Sequence, residues 1–131
     1  MSVTLHRAFD MCADPFNMLE QAISLEMDTI LTSGQKNLCT QGAVLLKELK
    51  EKSLERICIQ AGGGVTAEVI PTLYRVSGVK GYHMSGKAVL DSAMSYRKEE
   101  VNMGLPSLSE YTVYRTREEE IRKARQVLEN L

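Results

Sequence analysis

The chain has 131 residues and a formal net charge of −1, from 16 basic and 17 acidic residues, and 44% of its residues are hydrophobic. This length and composition are typical of one globular domain with its own core. The balanced charge lacks the basic surplus expected of nucleic-acid-binding and membrane-surface proteins, and the apolar runs are too short for a membrane-spanning helix. Three cysteines without a CxxC pair predict free thiols and a cytoplasmic location.

Four short strands are predicted at a spacing of about 25 residues, which is the pitch of a repeating strand–helix unit. They cover residues 3–7, 29–33, 56–60 and 79–83. Helical patterns follow them, which predicts parallel strands joined by right-handed crossovers in the order 1-2-3-4. In sheets of this type the loops after the strands form the ligand-binding face.

Local signals predict where the intervening helices begin and end. Asp14 and Pro15 predict the start of the first helix, because aspartate caps a helix and proline fits its first turn. The second helix is predicted from about Thr40. Thr66 is the predicted cap of the third helix, and Gly78 is its predicted stop.

The C-terminal part departs from this rhythm. Residues 86–114 contain glycine, proline and serine without a clear period, and a long loop is predicted there, of the kind that is usually functional or disordered. Thr116 and Glu119 have capping-box spacing and precede an apolar stripe, which predicts a helix over 116–130.

Four strand–helix units cannot close a barrel, which needs about eight strands. The chain is therefore either a small open sheet or the second half of an eight-stranded barrel, and a first strand beginning at residue 3 favours the half-barrel. We expect an α/β fold of the TIM (β/α)8-barrel type, with residues 1–131 as one partial domain. The two open sheet edges also predict a homo-oligomer.

A run of three glycines, Gly62-Gly63-Gly64, lies between the third strand and its helix. Such a loop lets a phosphate or carboxylate approach backbone N–H groups, although a tight turn alone also explains glycine. His83 and Ser85 follow the next strand. If these are barrel strands seven and eight, the two loops occupy the position where many barrels hold a phosphate. For His83, a structural hydrogen bond is the alternative.

The densest polar cluster is His6, Arg7 and Asp10, which combines an acid–base group, an oxyanion holder and an orienting carboxylate. Strand alternation predicts that His6 and Arg7 point to opposite faces. A purely structural Arg7–Asp10 ion pair is the alternative. Thr32 and Ser33 add hydroxyl groups, but no base lies beside them in the sequence, so no nucleophile or other catalytic residue is assigned.

Cys12 and Cys39 fall after strands on the same face, and soft sulfur ligands suit Cu(I). These two residues are the candidate metal ligands. Inert buried thiols are the alternative, because the ligand spacing of a metal site is absent. Cys58 lies within the third strand and is expected in the core.

Several of these motifs together resemble the CutC family of copper homeostasis proteins. The resemblance rests on HRAFD at 6–10, ILTSG at 30–34, AGGGV at 61–65, YHMSG at 82–86 and the segment 91–97. It implies an eight-stranded TIM barrel, a cytoplasmic location and a link to copper tolerance, with no firmly attached enzymatic reaction. It also adds Arg97 to the candidate ligand-binding residues. Leu5 and Ala61 replace the usual phenylalanine and proline, and nothing corresponds to the first four strands.

Three functional hypotheses follow. The first is copper homeostasis, through Cu(I) binding or indirectly. The second is an enzyme acting on a small phosphorylated or carboxylated ligand held by the glycine loop and Arg97. The third is a nonfunctional or purely structural fragment. The expected partner is a copper ion or a small anionic ligand, with neither nucleic acid nor a membrane.

Overall fold

A computed structural model describes residues 1–98, 100–104 and 108–131. The elements, in chain order, are β1 (Thr4–Leu5), a 3₁₀ helix (Arg7–Met11), α1 (Pro15–Ser24), β2 (Thr29–Thr32), α2 (Ala43–Ser53), β3 (Cys58–Ala61), α3 (Val69–Ser77), β4 (Gly81–Tyr82), β5 (Lys87–Asp91), β6 (Thr112–Thr116) and α4 (Glu118–Glu129).

The first four strands form a parallel sheet in the order β1-β2-β3-β4, as predicted. In its centre Ile30 pairs with Ile59 and Thr32 with Ala61. β1 is shorter than the predicted strand, because a 3₁₀ helix begins directly after His6. The sheet places the segments that follow its strands at a common edge, where the candidate residues lie.

The two faces of the sheet have different surroundings. Ile30, Ile59 and Ala61 point to one face and are buried against the helices. Alternate residues of β2 and β3 point to the opposite face, which is open in the part of the chain that the structure describes. Cys58 lies on this open face and is exposed, so its predicted place in the core is wrong. Strand alternation placed it with the residues that no helix covers.

The start of α1 and the end of α3 are as predicted. Asp14 Oδ1 accepts hydrogen bonds from the backbone N–H groups of Phe16, at 2.9 Å, and Asn17, at 3.0 Å. Pro15 occupies the first position of α1. Gly78 ends α3 with a φ of 69°, a left-handed conformation that favours glycine.

The starts of α2 and α3 differ from the predictions. α2 begins at Ala43 rather than near Thr40. α3 begins at Val69, and the Thr66 side chain does not cap it. Instead the Thr66 carbonyl accepts hydrogen bonds from two helix N–H groups, those of Val69 and Ile70. A short turn thus separates the glycine loop from α3.

The prediction of a long loop over residues 86–114 is wrong, because this region contains an antiparallel hairpin. Within the described residues, β5 pairs with β6 from Lys87↔Thr116 to Asp91↔Thr112. Residues 99 and 105–107 of the predicted loop lie outside the described residues. β6 contains threonine, valine and tyrosine, and β5 contains valine, all of which favour extended backbone. The loop prediction failed because glycine, proline and serine between the strands obscured their period.

The predicted capping box is also wrong, because Thr116 belongs to β6 and its hydroxyl donates to the Ser85 carbonyl at 3.0 Å. α4 begins at Glu118, and three glutamates in its first turn interact favourably with the helix dipole. Ala124 is its buried residue, packed with the partly buried Val127 against the core. Among the described helices, none is long and apolar enough to cross a membrane.

Candidate functional site at the carboxyl ends of the parallel strands

A cavity of about 630 Å³ lies at the carboxyl ends of the parallel strands. It brings together five of the predicted site residues from three separate segments. It is lined by Arg7, Leu38, Gly63, Gly64, Val65, Thr66, His83, Met84, Ser85, Gly86, Lys87 and Glu120. Its volume suits a small organic ligand.

The first cluster, His6 to Asp10, is organised by the 3₁₀ helix. His6 Nδ1 accepts a hydrogen bond from the Ala8 N–H at 2.9 Å and so caps this helix. Strand alternation does not apply to His6 and Arg7, because the strand ends at Leu5. Of the two, only Arg7 lines the cavity. His6 therefore has a structural role in this arrangement.

The Asp10 carboxylate joins the 3₁₀ helix to the loop after β2. It accepts hydrogen bonds from Arg7 Nε at 2.8 Å, Ser33 N at 3.1 Å, Gln35 N at 3.1 Å and the Thr32 hydroxyl. Its side chain is only 8% exposed. Burial raises the pKa of Asp10, but the hydrogen bonds from Thr32, Arg7, Ser33 and Gln35 outweigh it and hold that pKa below its ordinary value.

Arg7 and Asp10 thus form the ion pair that was the structural alternative. The pair still leaves part of the guanidinium available. Arg7 Nη2 donates to the Ser33 hydroxyl at 2.7 Å and to the Lys36 carbonyl at 3.2 Å, whereas Nη1 hydrogen bonds to no described residue. Nη1 lies beside Gly63, where an added Cβ would be 3.3 Å away from it. The network therefore presents one edge of the guanidinium to the cavity.

The glycine loop is fixed by hydrogen bonds to neighbouring segments and lies at the cavity. The Gly62 N–H donates to the Thr32 carbonyl, and the Cys39 N–H donates to the Gly63 carbonyl, both at 2.9 Å. Gly63 and Gly64 have φ values of 94° and 75°, so both need glycine. Their N–H groups hydrogen bond to no described backbone or side-chain acceptor. Gly63 and Gly64 both line the cavity, and free backbone N–H groups of this kind suit an anion.

The remaining predicted residues have different positions. Thr32 and Ser33 are fully buried and support Asp10 from beneath the cavity. Gly62 is buried, and an added Cβ would meet Leu31 Cδ1 at 2.6 Å. His83 is exposed, and its backbone N–H donates to the Ala61 carbonyl at 2.8 Å.

Arg97 does not line the cavity. Its Nη2 donates to Asp91 Oδ2 and to the Ser92 carbonyl, both at 2.6 Å, and its guanidinium lies 5.0 Å from the Tyr111 ring centre. These partners lie at the opposite end of the hairpin from Lys87.

Lys87 and Glu120 line the cavity and were missed in the sequence. Lys87 begins β5 directly after Gly86, and its Nζ lies 5.0 Å from the Tyr114 ring centre. Glu120 accepts a hydrogen bond from Lys123 Nζ at 3.0 Å. Lys87 stands only two residues after Ser85, and this proximity was the available signal. The loop prediction for residues 86–114 concealed it.

Neither candidate metal ligand lines the cavity, although the Cys39 backbone is hydrogen bonded to Gly63. Cys39 is fully buried, whereas Cys12 is half-buried and its sulfur accepts from Gln35 Nε2 at 3.5 Å. Burial raises the pKa of both thiols and so opposes the thiolate form that binds metals. Within the described residues, no three histidine, cysteine, aspartate or glutamate side chains form a group that could hold a metal ion.

Comparison with known proteins assigns this chain to a family. The model of the CutC family matches residues 1–88, which is more than half of the chain. The chain belongs to the CutC family. This confirms the resemblance seen in the sequence motifs.

Individual members of the CutC family are similar over most of this chain. A CutC family protein of Parabacteroides distasonis is 42% identical over 123 residues, covering 93% of this chain and 51% of the relative. The human copper homeostasis protein cutC homolog is 35% identical over 132 residues, covering 100% of this chain and 48% of the relative. The chain thus spans about half the length of the curated relatives it matches.

A solved structure of the copper homeostasis protein CutC from Streptococcus agalactiae has a similar fold. It superposes with a TM-score of 0.60 at 32% identity, covering 63% of this chain and 41% of that chain. The similarity supports the α/β arrangement of four parallel strands and their helices in this CutC-family chain.

Proposed function

We propose that this chain acts in copper homeostasis in the cytoplasm, and that its own chemistry is to bind a small phosphorylated or carboxylated ligand. The role in copper homeostasis is the one named for the human relative. The observation that carries the ligand chemistry is the cavity lined together by Arg7, Gly63 and Gly64, whose Arg7 Nη1 and glycine N–H groups have no acceptor among the described residues. An anion there would satisfy donors that have no partner in the described chain.

We also propose that the four-stranded sheet is half of a TIM-type barrel. The support is the open sheet face, the outer edges of β1 and β4, which pair with no further described strand, and the length of the relatives, about twice that of this chain. Parallel sheets are normally covered on both faces. The cavity lies at the carboxyl ends of the strands, which is where ligands bind in such barrels.

Direct Cu(I) binding by Cys12 and Cys39 stays a prediction. The raised pKa of both thiols favours an indirect part in copper homeostasis, in which the bound ligand is organic. An enzyme that acts on this ligand is the second candidate, because the exposed His83 lines the same cavity and is suited to proton transfer.

Inorganic phosphate tests the anion site, with binding measured by isothermal titration calorimetry. In Gly63→Val the new side chain would crowd Ser33 Cβ, the Asn37 carbonyl and Arg7 Nη1, which an added Cβ alone approaches to 3.2–3.3 Å. We expect this variant to lose phosphate binding. Gly78→Val is the matched control, since Gly78 also has a positive φ but an added Cβ there meets nothing within 4 Å.

Both variants carry the strain of a left-handed valine and Gly63→Val adds the crowding of its neighbours, so circular dichroism and the unfolding midpoint are measured to verify that both variants fold. Phosphate affinity unchanged in Gly63→Val, or lost equally in Gly78→Val, would contradict an anion site at the glycine loop.

A further inference from the structure

The hairpin base places a second cationic residue, Lys87, in the lining of the cavity. Lys87 begins β5, and hydrogen bonds to the two residues before it fix the start of this strand. The Arg117 N–H donates to the Gly86 carbonyl at 2.9 Å, and the Thr116 hydroxyl donates to the Ser85 carbonyl at 3.0 Å. An added Cβ at Gly86 would meet Ile121 Cδ1 at 2.7 Å, so the hairpin base packs closely on α4.

The charged side chains that line the cavity differ in whether they already have an ion-pair partner. Lys87 forms no ion pair with a described residue, and its described neighbour is the face of the Tyr114 ring. Glu120 is paired with Lys123, and Asp10 is paired with Arg7. The groups left to meet a ligand are therefore the Lys87 ammonium, Arg7 Nη1 and the N–H groups of Gly63 and Gly64.

These donors exceed what a carboxylate uses. A carboxylate presents two oxygens and one negative charge, whereas a phosphate monoester presents three terminal oxygens and a charge approaching −2. The cavity is also larger than a bare phosphate needs, and Leu38, Val65 and Met84 contribute apolar surface to it.

We propose that the ligand is a phosphate monoester with a small apolar body, and that Lys87 is the residue that selects phosphate over carboxylate. The inference rests on the proposed anion site and adds to it the ligand class and the hairpin residue. Arg7 and the glycine N–H groups hold one side of the phosphate, and Lys87 neutralises the charge on the side facing the hairpin.

The test compares phenyl phosphate with benzoate, which has the same ring and a carboxylate in place of the phosphate. Isothermal titration calorimetry on the full chain should show phenyl phosphate binding at least about tenfold more tightly than benzoate. Lys87→Met should weaken phenyl phosphate binding about tenfold and leave benzoate unchanged. Lys80→Met is the control, because Lys80 is an exposed lysine that does not line this cavity.

The outcomes separate this inference from the proposed function. Equal affinity for the two probes, or equal losses in Lys87→Met and Lys80→Met, would overturn the phosphate inference and leave the anion site standing. Failure of both probes and of inorganic phosphate to bind the parent chain would overturn the anion site and this inference together.

Discussion

Truncation of Asp10 to alanine removes the acceptor on which the first two post-strand loops converge. The carboxylate is 8% exposed and accepts from Arg7, Thr32, Ser33 and Gln35. Its loss leaves the Thr32 hydroxyl and two backbone N–H groups without their acceptor in a buried position. Each such group costs about 1–3 kcal/mol, and breaking a buried ion pair costs about 3–5 kcal/mol.

Because Arg7 is 43% exposed, water can solvate its guanidinium once the partner is gone. We therefore discount the ion pair and take the three groups left without an acceptor at their lower limit of about 1 kcal/mol each, which gives a loss of about 3 kcal/mol in the free energy of unfolding. For a chain of this size that corresponds to a fall in Tm of about 12 °C. Urea denaturation followed by circular dichroism measures the free energy directly. Asp10→Asn, which keeps one acceptor oxygen, should fall between the parent and Asp10→Ala.

Asp91→Ala is the matched control. Asp91 pairs with Arg97 at 2.6 Å, but its side chain is 73% exposed, so its removal should leave the unfolding midpoint close to that of the parent. Equal destabilisation by the two alanine variants would refute the reasoning, because burial and the converging donors would then add nothing.

The same network predicts a pH dependence. The pKa of Asp10 is lower in the folded chain than in the unfolded chain, so the unfolded chain binds more protons at acid pH. The Asp10 contribution to stability is fully present above the unfolded pKa, about 3.9, and is lost as the pH falls through the folded pKa. The parent should therefore lose stability in acid more steeply than Asp10→Asn, measured by urea denaturation between pH 5 and pH 2.

Two further predictions concern assembly and copper. Two-fold association of half-barrels should cover the open sheet face, so sedimentation velocity should show a dimer. Leu31→Glu, on that face, should dissociate the dimer, whereas Leu25→Glu, at an exposed site after α1, should leave it intact. A parent monomer at micromolar concentration would contradict this. If copper binds directly, a competition assay with a Cu(I) chelator should show stoichiometric binding that is lost in Cys12→Ser and Cys39→Ser but retained in Cys58→Ser. Equal binding by all three variants would exclude a site built on Cys12 and Cys39.

The sequence alone determined the features that depend on local interactions. The spacing of apolar segments predicted four parallel strands in consecutive order. Asp14 with Pro15 predicted the start of α1, and Gly78 predicted the end of α3. These predictions were confirmed because caps and left-handed stops involve backbone groups within a few residues. The motifs also predicted membership of the CutC family.

The tertiary structure alone decided which of the polar residues meet. Asp10 and Ser33 are 23 residues apart in the chain, and only the pairing of β1 with β2 brings their hydrogen bond together. The same holds for Lys87, which lines the cavity because β5 pairs with β6 and the preceding Gly86 lies against Ile121 of α4. Neither contact leaves a period or a cap in the sequence.

The burial of single residues also depends on the tertiary structure rather than on the sequence pattern. Cys58 and Ile59 are adjacent in β3, yet Cys58 is exposed and Ile59 is buried, because the helices cover only one face of the sheet. Hydrophobic character predicts that a residue prefers the interior, but which side of a strand is interior depends on what packs against it. That choice is made by the assembled layers, and a pattern along the chain does not contain it.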